Sequence, residues 1–179
     1  MSRTGQSAGE PADSGAEAPR LVVVCGLPGV GKSTVARAVA DRLDADVLRT
    51  DVVRKELFEN PEYTSEESAA VYDELLARAR ERLAAGAPVV LDATFKTRTR
   101  RREARDLADA VGAEFRLIYV DCDTDVVERR IAARDDISDA DFEIHLQFKD
   151  RFEPIEMDHE RIDNSGSESE TVQQVETAF

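Results

Sequence analysis

The chain has 179 residues, and its 38 acidic residues outnumber its 24 Lys and Arg residues, which gives a formal net charge of -14. This acidity argues against a surface that binds nucleic acid or anionic membranes as a whole, but it leaves room for a local basic site. No apolar run approaches the ~20 residues that span a bilayer, and the N-terminus lacks the basic-then-apolar pattern of a signal peptide. We therefore expect a cytoplasmic protein of one domain.

The basic residues are unevenly chosen, with 20 Arg and only 4 Lys. Together with the abundant Asp, Glu and Ala, this composition resembles that of haloarchaeal proteins, which function in molar salt. At ~1 M salt the Debye length is about 3 Å, so repulsion between surface carboxylates is largely screened. An acidic protein from a GC-rich bacterium is the alternative.

Cysteine usage is sparse. Cys25 and Cys122 each lie inside or at the end of an apolar run, without the spacing of a zinc site or of a disulfide framework. We expect two buried thiols.

Apolar strands alternate with amphipathic helices from residue 20 onward, which predicts an α/β fold with a parallel sheet covered by helices on both faces. Residues 1–19 are Ser-, Gly-, Ala-, Pro- and Glu-rich without apolar periodicity, which predicts a disordered tail before a domain at 20–179. The predicted strands are residues 21–25, 46–49, 88–91, 114–120 and 161–163. The predicted helices are residues 32–43, 51–58, 66–85, 97–111, 123–134, 138–152 and 168–179.

The clearest motif follows the first predicted strand. Residues 26–33, Gly-Leu-Pro-Gly-Val-Gly-Lys-Ser, match the phosphate-binding pattern G-x-x-x-x-G-K-[ST] and open a predicted helix, as that motif requires. Glycines let backbone N–H groups surround a polyphosphate, and the helix N-terminus adds positive partial charge. Lys32 is predicted to reach the β- and γ-phosphates, and the Ser33 hydroxyl to bind Mg²⁺. The residues predicted to contact ATP here are Gly26, Gly29, Val30, Gly31, Lys32, Ser33 and Thr34.

A carboxylate follows the second predicted strand. Asp51 lies where groups of a parallel sheet face the ligand crevice, so it can accept the proton of an attacking hydroxyl. Arg54, one turn later, can hold substrate or orient Asp51. The alternative is that Asp51 caps the N-terminus of the following helix, and the two roles are compatible.

Asp92 ends the third predicted strand after the apolar run 89–91, in the Walker B pattern of a carboxylate that holds Mg²⁺ or its waters. Asp92 can instead bind substrate together with Thr94. The chain also lacks the Asn-Lys-x-Asp string of guanine-specific GTPases. Its length suits a small phosphotransferase.

Residues 96–105 hold six basic side chains in ten positions. One explanation is a phosphate-bearing substrate beside Asp92, with Arg98 and Arg101 as substrate-binding residues on one face of the predicted helix. The other explanation is a helix whose arginines pair with the acidic surface.

A second group of arginines, Arg129, Arg130 and Arg134, precedes a polar turn at Asp135-Asp136. Small P-loop kinases bring such lid arginines over the transferring phosphate, which makes Arg130 and Arg134 candidate catalytic residues and Arg130 a candidate ATP contact. The alternative is a solvated face paired with Glu128 and Asp125.

Taken together, these strings resemble the small P-loop kinases related to the kinase domain of phage polynucleotide kinase, over about residues 20–167. The resemblance implies a three-layer α/β/α sandwich with strand order 2-3-1-4-5 and a helical lid. It implies Asp51 as the general base in Asp-x-x-Arg, and Arg130 and Arg134 as the lid pair. It also implies that residues 162–167 pass the adenine. Phe95 stands where the family pattern Asp-Thr-Asn continues with Asn.

Two functions follow as expectations. The first is transfer of the γ-phosphate of Mg·ATP to a hydroxyl of a small molecule or of a nucleic-acid 5′-end, without a membrane or an obligate protein partner. The second is an ATP-binding and slowly hydrolysing regulatory module without a phosphoryl acceptor.

Overall fold

The structure is a computed structural model that describes residues 15–134 and 139–179, with only the backbone described at 139–141. Most of the predicted tail, residues 1–14, lies outside the described residues, and residues 15–19 have no regular secondary structure. The strands are β1 (Arg20–Cys25), β2 (Asp46–Arg49), β3 (Val89–Asp92), β4 (Glu114–Asp121) and β5 (Glu160–Asp163). The helices are α1 (Lys32–Leu43), α2 (Thr50–Leu57), α3 (Ser65–Ala84), α4 (Arg98–Val111), α5 (Thr124–Ala132), α6 (Asp139–Arg151) and α7 (Glu168–Ala178).

The five strands form one parallel sheet in the order β2-β3-β1-β4-β5, which confirms the expected fold class and strand order. Every predicted element is present, with ends that differ by one or two residues. α2, for example, begins at Thr50 rather than Asp51, because Arg49 is still extended and serves as the N-cap. Because β1, β2 and β3 are parallel neighbours, their carboxyl ends lie at the same edge of the sheet.

Side chains of β1 alternate between the two faces of the sheet, which is why this run of six residues has almost no polar position. Leu21, Val23 and Cys25 pack against α2, α3 and α4. Val22 and Val24 pack against α1, α5 and α7 on the other face. The result is the three-layer sandwich that the sequence predicts.

Cys25 and Cys122 are buried free thiols, as expected. Burial raises the pKa of the Cys25 thiol to about 12, so it stays protonated and unreactive near neutral pH. In the described residues, no helix combines the length and the apolar character that a bilayer crossing requires.

Candidate active site

The loop between β1 and α1 needs glycine for steric reasons. Gly29 and Gly31 have φ values of 83° and 88°, a region that side-chain-bearing residues rarely adopt. A Cβ on Gly31 would collide with Asn164 Nδ2, and a Cβ on Gly26 would lie 2.6 Å from the carbonyl oxygen of Val120. The backbone of this loop is thus closely packed by its neighbours.

Asn164, just after β5, binds the backbone of the loop through its side chain. Its Nδ2 donates to the Val30 carbonyl at 2.8 Å, and its Oδ1 accepts from Thr171 Oγ1 at 2.6 Å. Its backbone N–H also donates to the carbonyl of Asp121 at 2.8 Å. The Asn164 side chain is buried, and among the described residues these two partners satisfy its amide nitrogen and oxygen.

Asn164→Ala is expected to lower the free energy of unfolding by about 2 kcal/mol and to weaken ATP binding, because it leaves the Val30 carbonyl and the Thr171 hydroxyl without this partner. Chemical denaturation and calorimetric titration with ATP measure the two effects. Asn60→Ala is the control, since Asn60 is exposed. Equal behaviour of the two variants would contradict the role of Asn164.

Two helices reach the other side of the loop. His145 of α6, only 1% exposed, places Nδ1 2.7 Å from the Pro28 carbonyl oxygen. Val127 and Ile131 of α5 stand 3.2 and 3.3 Å from where a Cβ of Gly29 would be. The loop is therefore fixed by α5, α6 and Asn164 together, which preorganises its N–H groups for an anion.

Lys32, the first residue of α1, has a half-buried side chain. Its Nζ donates to the Leu27 carbonyl at 2.9 Å, so the ammonium group lies over the loop. Burial lowers the pKa of Lys32, and the negative charge of Asp92 opposes this shift. The side chain is positioned to exchange a neutral carbonyl for a phosphate oxygen, which is a stronger partner for an ammonium group.

Four polar side chains form a chain across the edge of the sheet. Ser33 Oγ donates to Asp92 Oδ2 at 2.9 Å, and Arg49 Nε lies 3.4 Å from the same oxygen. Arg49 Nη2 donates to Asp51 Oδ2 at 3.0 Å. Parallel register explains this arrangement, because Asp92 of β3 is opposite Val24 of β1 on one side and Arg49 of β2 on the other.

Ser33 and Asp92 fit a magnesium ion. Their oxygens are already adjacent, and Asp92 is 5% exposed at the base of the loop. The described residues contain no cluster of three or more His, Cys, Asp or Glu side chains that could hold a metal alone. Mg²⁺ usually binds one or two protein oxygens together with substrate phosphates and waters, so this donor set is sufficient.

Asp51 lies in the first turn of α2, and its side chain is 56% exposed. Its Oδ1 accepts from the N–H of Val52, but the N-cap of the helix is Arg49. The carboxylate therefore faces the solvent side of the crevice and is oriented by Arg49 rather than by Arg54.

Arg54 and Thr94, predicted substrate contacts beside Asp51 and Asp92, both have partners within the protein. Arg54 contacts Glu67 at 3.4 Å, Ser68 Oγ at 3.2 Å and the face of the Tyr63 ring at 4.7 Å. Thr94 accepts the Gly26 N–H through its carbonyl at 3.3 Å, while its side chain is half-buried.

The basic cluster at 96–105 is mostly paired. Arg98 Nη2 lies 3.1 Å from Glu156, and Arg102 also pairs with Glu156. Arg101 is 1% exposed and donates to the carbonyls of Phe95, Glu153 and Pro154 at 2.6, 2.8 and 3.0 Å. The predicted substrate contact of Arg101 is therefore corrected to a structural role, because its guanidinium faces backbone carbonyls in the interior.

Arg101→Lys is expected to lower the free energy of unfolding by about 2 kcal/mol, because an ammonium group cannot satisfy these carbonyls in the same geometry. The Michaelis constants should stay within about twofold of the parent values. Denaturation and steady-state kinetics test this, with Arg105→Lys on the exposed face of α4 as the control. A raised KM for the acceptor at unchanged stability would restore the substrate role.

The two predicted lid arginines, Arg130 and Arg134, have different surroundings. Arg130 of α5 donates from Nη2 to the Gly166 carbonyl at 3.0 Å, and its Nη1 lies 3.6 Å from Cys122 Sγ. Arg134 is exposed. The turn at Asp135-Asp136 lies outside the described residues.

Four residues that shape the site were not identified from the sequence. Glu67 and Arg49 act through partners that only the packing of α3 and the strand register bring close. His145 carries no local signal, since a lone histidine on a polar helix has many explanations. Asn164 was recognised only as part of a segment near the adenine. Arg49 could have been found, because the last residue of β2 must neighbour the last residue of β3.

Comparisons with known proteins agree with this geometry. The family model described as "AAA domain" matches residues 21–155. Uncharacterized proteins of Mycobacterium tuberculosis and Mycobacterium bovis are 35% identical over 168 residues, covering 87% of this chain. The chain spans about a third of the length of these curated relatives, 34%.

Solved kinases share the fold. The APS kinase of Mycobacterium tuberculosis, in complex with AMPPNP and APS, superposes with a TM-score of 0.71 at 21% identity, covering 89% of this chain and 96% of that one. A gluconokinase from Sinorhizobium meliloti gives a TM-score of 0.65 at 22% identity, covering 88% and 90%. The chain belongs to the AAA domain family, and its fold is that of the small P-loop kinases.

Proposed function

We propose that this protein transfers the γ-phosphate of Mg·ATP to a hydroxyl group of an acceptor molecule. The observation that carries the proposal is the side-chain chain from Ser33 through Asp92 and Arg49 to Asp51. It joins the phosphate-binding loop to an exposed carboxylate at the same edge of the sheet. Phosphotransfer gives that second carboxylate a role, as acceptor of the hydroxyl proton, that ATP binding alone does not.

Phosphate binding falls to the loop residues and to Lys32. The N–H groups of residues 29–34, at the N-terminus of α1, would bind the β-phosphate, and Lys32 Nζ, which donates to the Leu27 carbonyl here, would move to the β- and γ-phosphate oxygens. Ser33 and Asp92 would hold Mg²⁺, which would supply charge neutralisation at the phosphates. Arg130, which donates to the Gly166 carbonyl, lies beside the segment 162–167 that is expected to pass the adenine, so it is assigned as an ATP contact.

Asp51 accepts the proton of the acceptor hydroxyl as the hydroxyl oxygen bonds to the γ-phosphorus and the bond from that phosphorus to the leaving ADP oxygen breaks. Arg49 holds the carboxylate in one orientation at the edge of the sheet, so little reorganisation is needed when the acceptor binds. Arg134, exposed two residues after the end of α5, is the residue assigned to the γ-phosphate when the site closes. The rest of the rate enhancement comes from positioning and charge stabilisation.

The experiment is an acceptor screen that follows ADP formation from Mg·ATP in the presence of sugars, nucleosides, amino alcohols and 5′-hydroxyl oligonucleotides. We expect at least one acceptor class to stimulate ADP formation well above the rate without acceptor. A rate that no acceptor changes would favour the regulatory ATPase instead. Lys32→Met controls for contaminating kinases, and Lys55→Met on α2 controls for the loss of one lysine.

A further inference from the structure

An acceptor that carries a phosphate or carboxylate needs an uncommitted cation or helix N-terminus to replace its water shell, because an anion without such a partner is strongly destabilised away from water. Arg49 and Arg54 flank Asp51 in the chain, and Arg98 is the first residue of α4, which follows β3. These three arginines and the N-terminus of α4 are already occupied by anionic or carbonyl partners, whereas Lys55 of α2 is exposed and is outnumbered by the acidic side chains of its own segment.

Arg49 is shared by two carboxylates. It lies 3.0 Å from Asp51 and 3.4 Å from Asp92, and its buried Nε has no hydrogen-bond partner among the described residues. With Lys32 assigned to ATP, the single positive charge of Arg49 faces two carboxylates, so these three side chains carry a net charge of -1. Arg49 therefore orients the base and adds no net positive charge for an acceptor.

Arg54, one turn of α2 beyond Asp51, is neutralised by Glu67. The Glu67 carboxylate also accepts from the backbone N–H groups of Glu62 and Tyr63 at 2.9 and 2.7 Å. The hydrogen bond from Glu62 and the charge of Arg54 hold the pKa of Glu67 below its usual value, so Glu67 stays ionised at neutral pH. The face of Arg54 is covered by the Tyr63 ring.

The N-terminus of α4 is occupied as well. The Glu153 carboxylate accepts the N–H of Arg98 at 2.6 Å, and the Thr97 hydroxyl accepts the N–H of Arg100 at 3.3 Å. The Arg98 guanidinium pairs with Glu156. An anionic group arriving here would have to displace a carboxylate.

The segment that follows Asp51 strengthens this repulsion. Residues 51–67 contain six acidic and two basic side chains, and all the acidic ones but Glu67 are exposed. Tyr63, 73% exposed, offers a ring surface against Arg54, which lies one turn of α2 after Asp51. Such a surface suits the C–H face of a sugar or a similar polyol.

We infer that the phosphoryl acceptor is a small polyhydroxylated compound without a phosphate or carboxylate group. This inference rests on the proposed phosphotransfer and adds the class of its acceptor. It disfavours the nucleic-acid 5′-end, whose flanking phosphates would meet a negative surface.

Matched acceptors test the inference. Transfer of label from Mg·[γ-³²P]ATP is compared for glucose, glucosamine and gluconate, for adenosine and AMP, and for a 5′-hydroxyl oligonucleotide. We expect the neutral or amine-bearing member of a set to exceed its acidic member in kcat/KM by about tenfold or more. Preferred transfer to an acidic member or to the oligonucleotide would overturn the inference while supporting the kinase. Transfer to no compound would overturn the kinase and the inference with it.

Glu67→Gln tests the cause of the preference. The amide can still accept the loop N–H groups but no longer neutralises Arg54, so kcat/KM for acidic acceptors should rise about tenfold relative to neutral ones. Glu74→Gln is the matched control, because Glu74 lies on the same helix and pairs with Arg78 instead. An acidic-to-neutral ratio that is the same in both variants would contradict the inference.

Discussion

Asp51→Asn is expected to lower kcat for phosphotransfer by about 10²- to 10⁴-fold, because an amide cannot take the proton of the attacking hydroxyl. The affinity for ATP should change little, since Asp51 contacts Arg49 and the N–H of Val52 rather than the loop. Steady-state kinetics with a defined acceptor and calorimetric titration with ATP measure the two quantities.

Asp46→Asn is the matched control for that variant. Asp46 opens β2, whose last residue precedes α2, and pairs with Arg82 away from the crevice. We expect its kcat to match the parent within about twofold. A full kcat in Asp51→Asn would remove Asp51 from the role of base, whereas a loss in both variants would point to instability of β2.

Asp92→Asn is expected to raise the Mg²⁺ concentration that half-saturates ATP binding by roughly 10- to 100-fold. The substitution removes the negative charge of a proposed Mg²⁺ ligand, and it also removes one of the two carboxylate partners of Arg49. Titrating Mg²⁺ at fixed ATP, with nucleotide binding as the readout, measures this effect independently of turnover.

Asp121→Asn provides the comparison for Asp92. It also changes a carboxylate at the end of a strand next to β1, but its partner is Arg161 and it does not contact the loop. Its Mg²⁺ dependence should equal that of the parent chain. An unchanged dependence in Asp92→Asn would assign Asp92 to the substrate side, the alternative that the sequence left open.

The sheet and the loop could be predicted because their signals are local. A few consecutive residues are enough to predict the first strand, from the run Leu21 to Cys25. The same holds for the loop, from the glycines at 29 and 31 and the Lys32-Ser33 pair. The ends of β2 and β3 also placed Asp51 and Asp92 at the same edge, since parallel strands finish together.

The arginines were harder because their partners are distant in the chain. Arg101 meets carbonyls about fifty residues later, and Arg130 meets Gly166 across 36 residues. A count of basic residues at 96–105 therefore suggested an anion site, whereas packing buries one of these arginines and pairs others with Glu156. Charge in a sequence shows where cations are available, but only the fold shows which ones are already paired.

The role of Asn164 could not be predicted from the sequence either. Its neighbours Asp163 and Ser165 are equally polar, and nothing local distinguishes them. The fold turns Asn164 alone into the space beside Gly31, where its amide holds the Val30 carbonyl. The amide of Asn164 therefore fits beside residue 31 because glycine has no Cβ there.

The fate of the terminal phosphate tests the proposed function most directly. With Mg·[γ-³²P]ATP and a saturating acceptor, the label can be separated into phosphorylated acceptor and inorganic phosphate. We expect most of the label in the acceptor with the parent protein, and the loss of that product in Asp51→Asn with ATP still bound. Label found only in inorganic phosphate, at the same rate with and without acceptor, would contradict phosphotransfer.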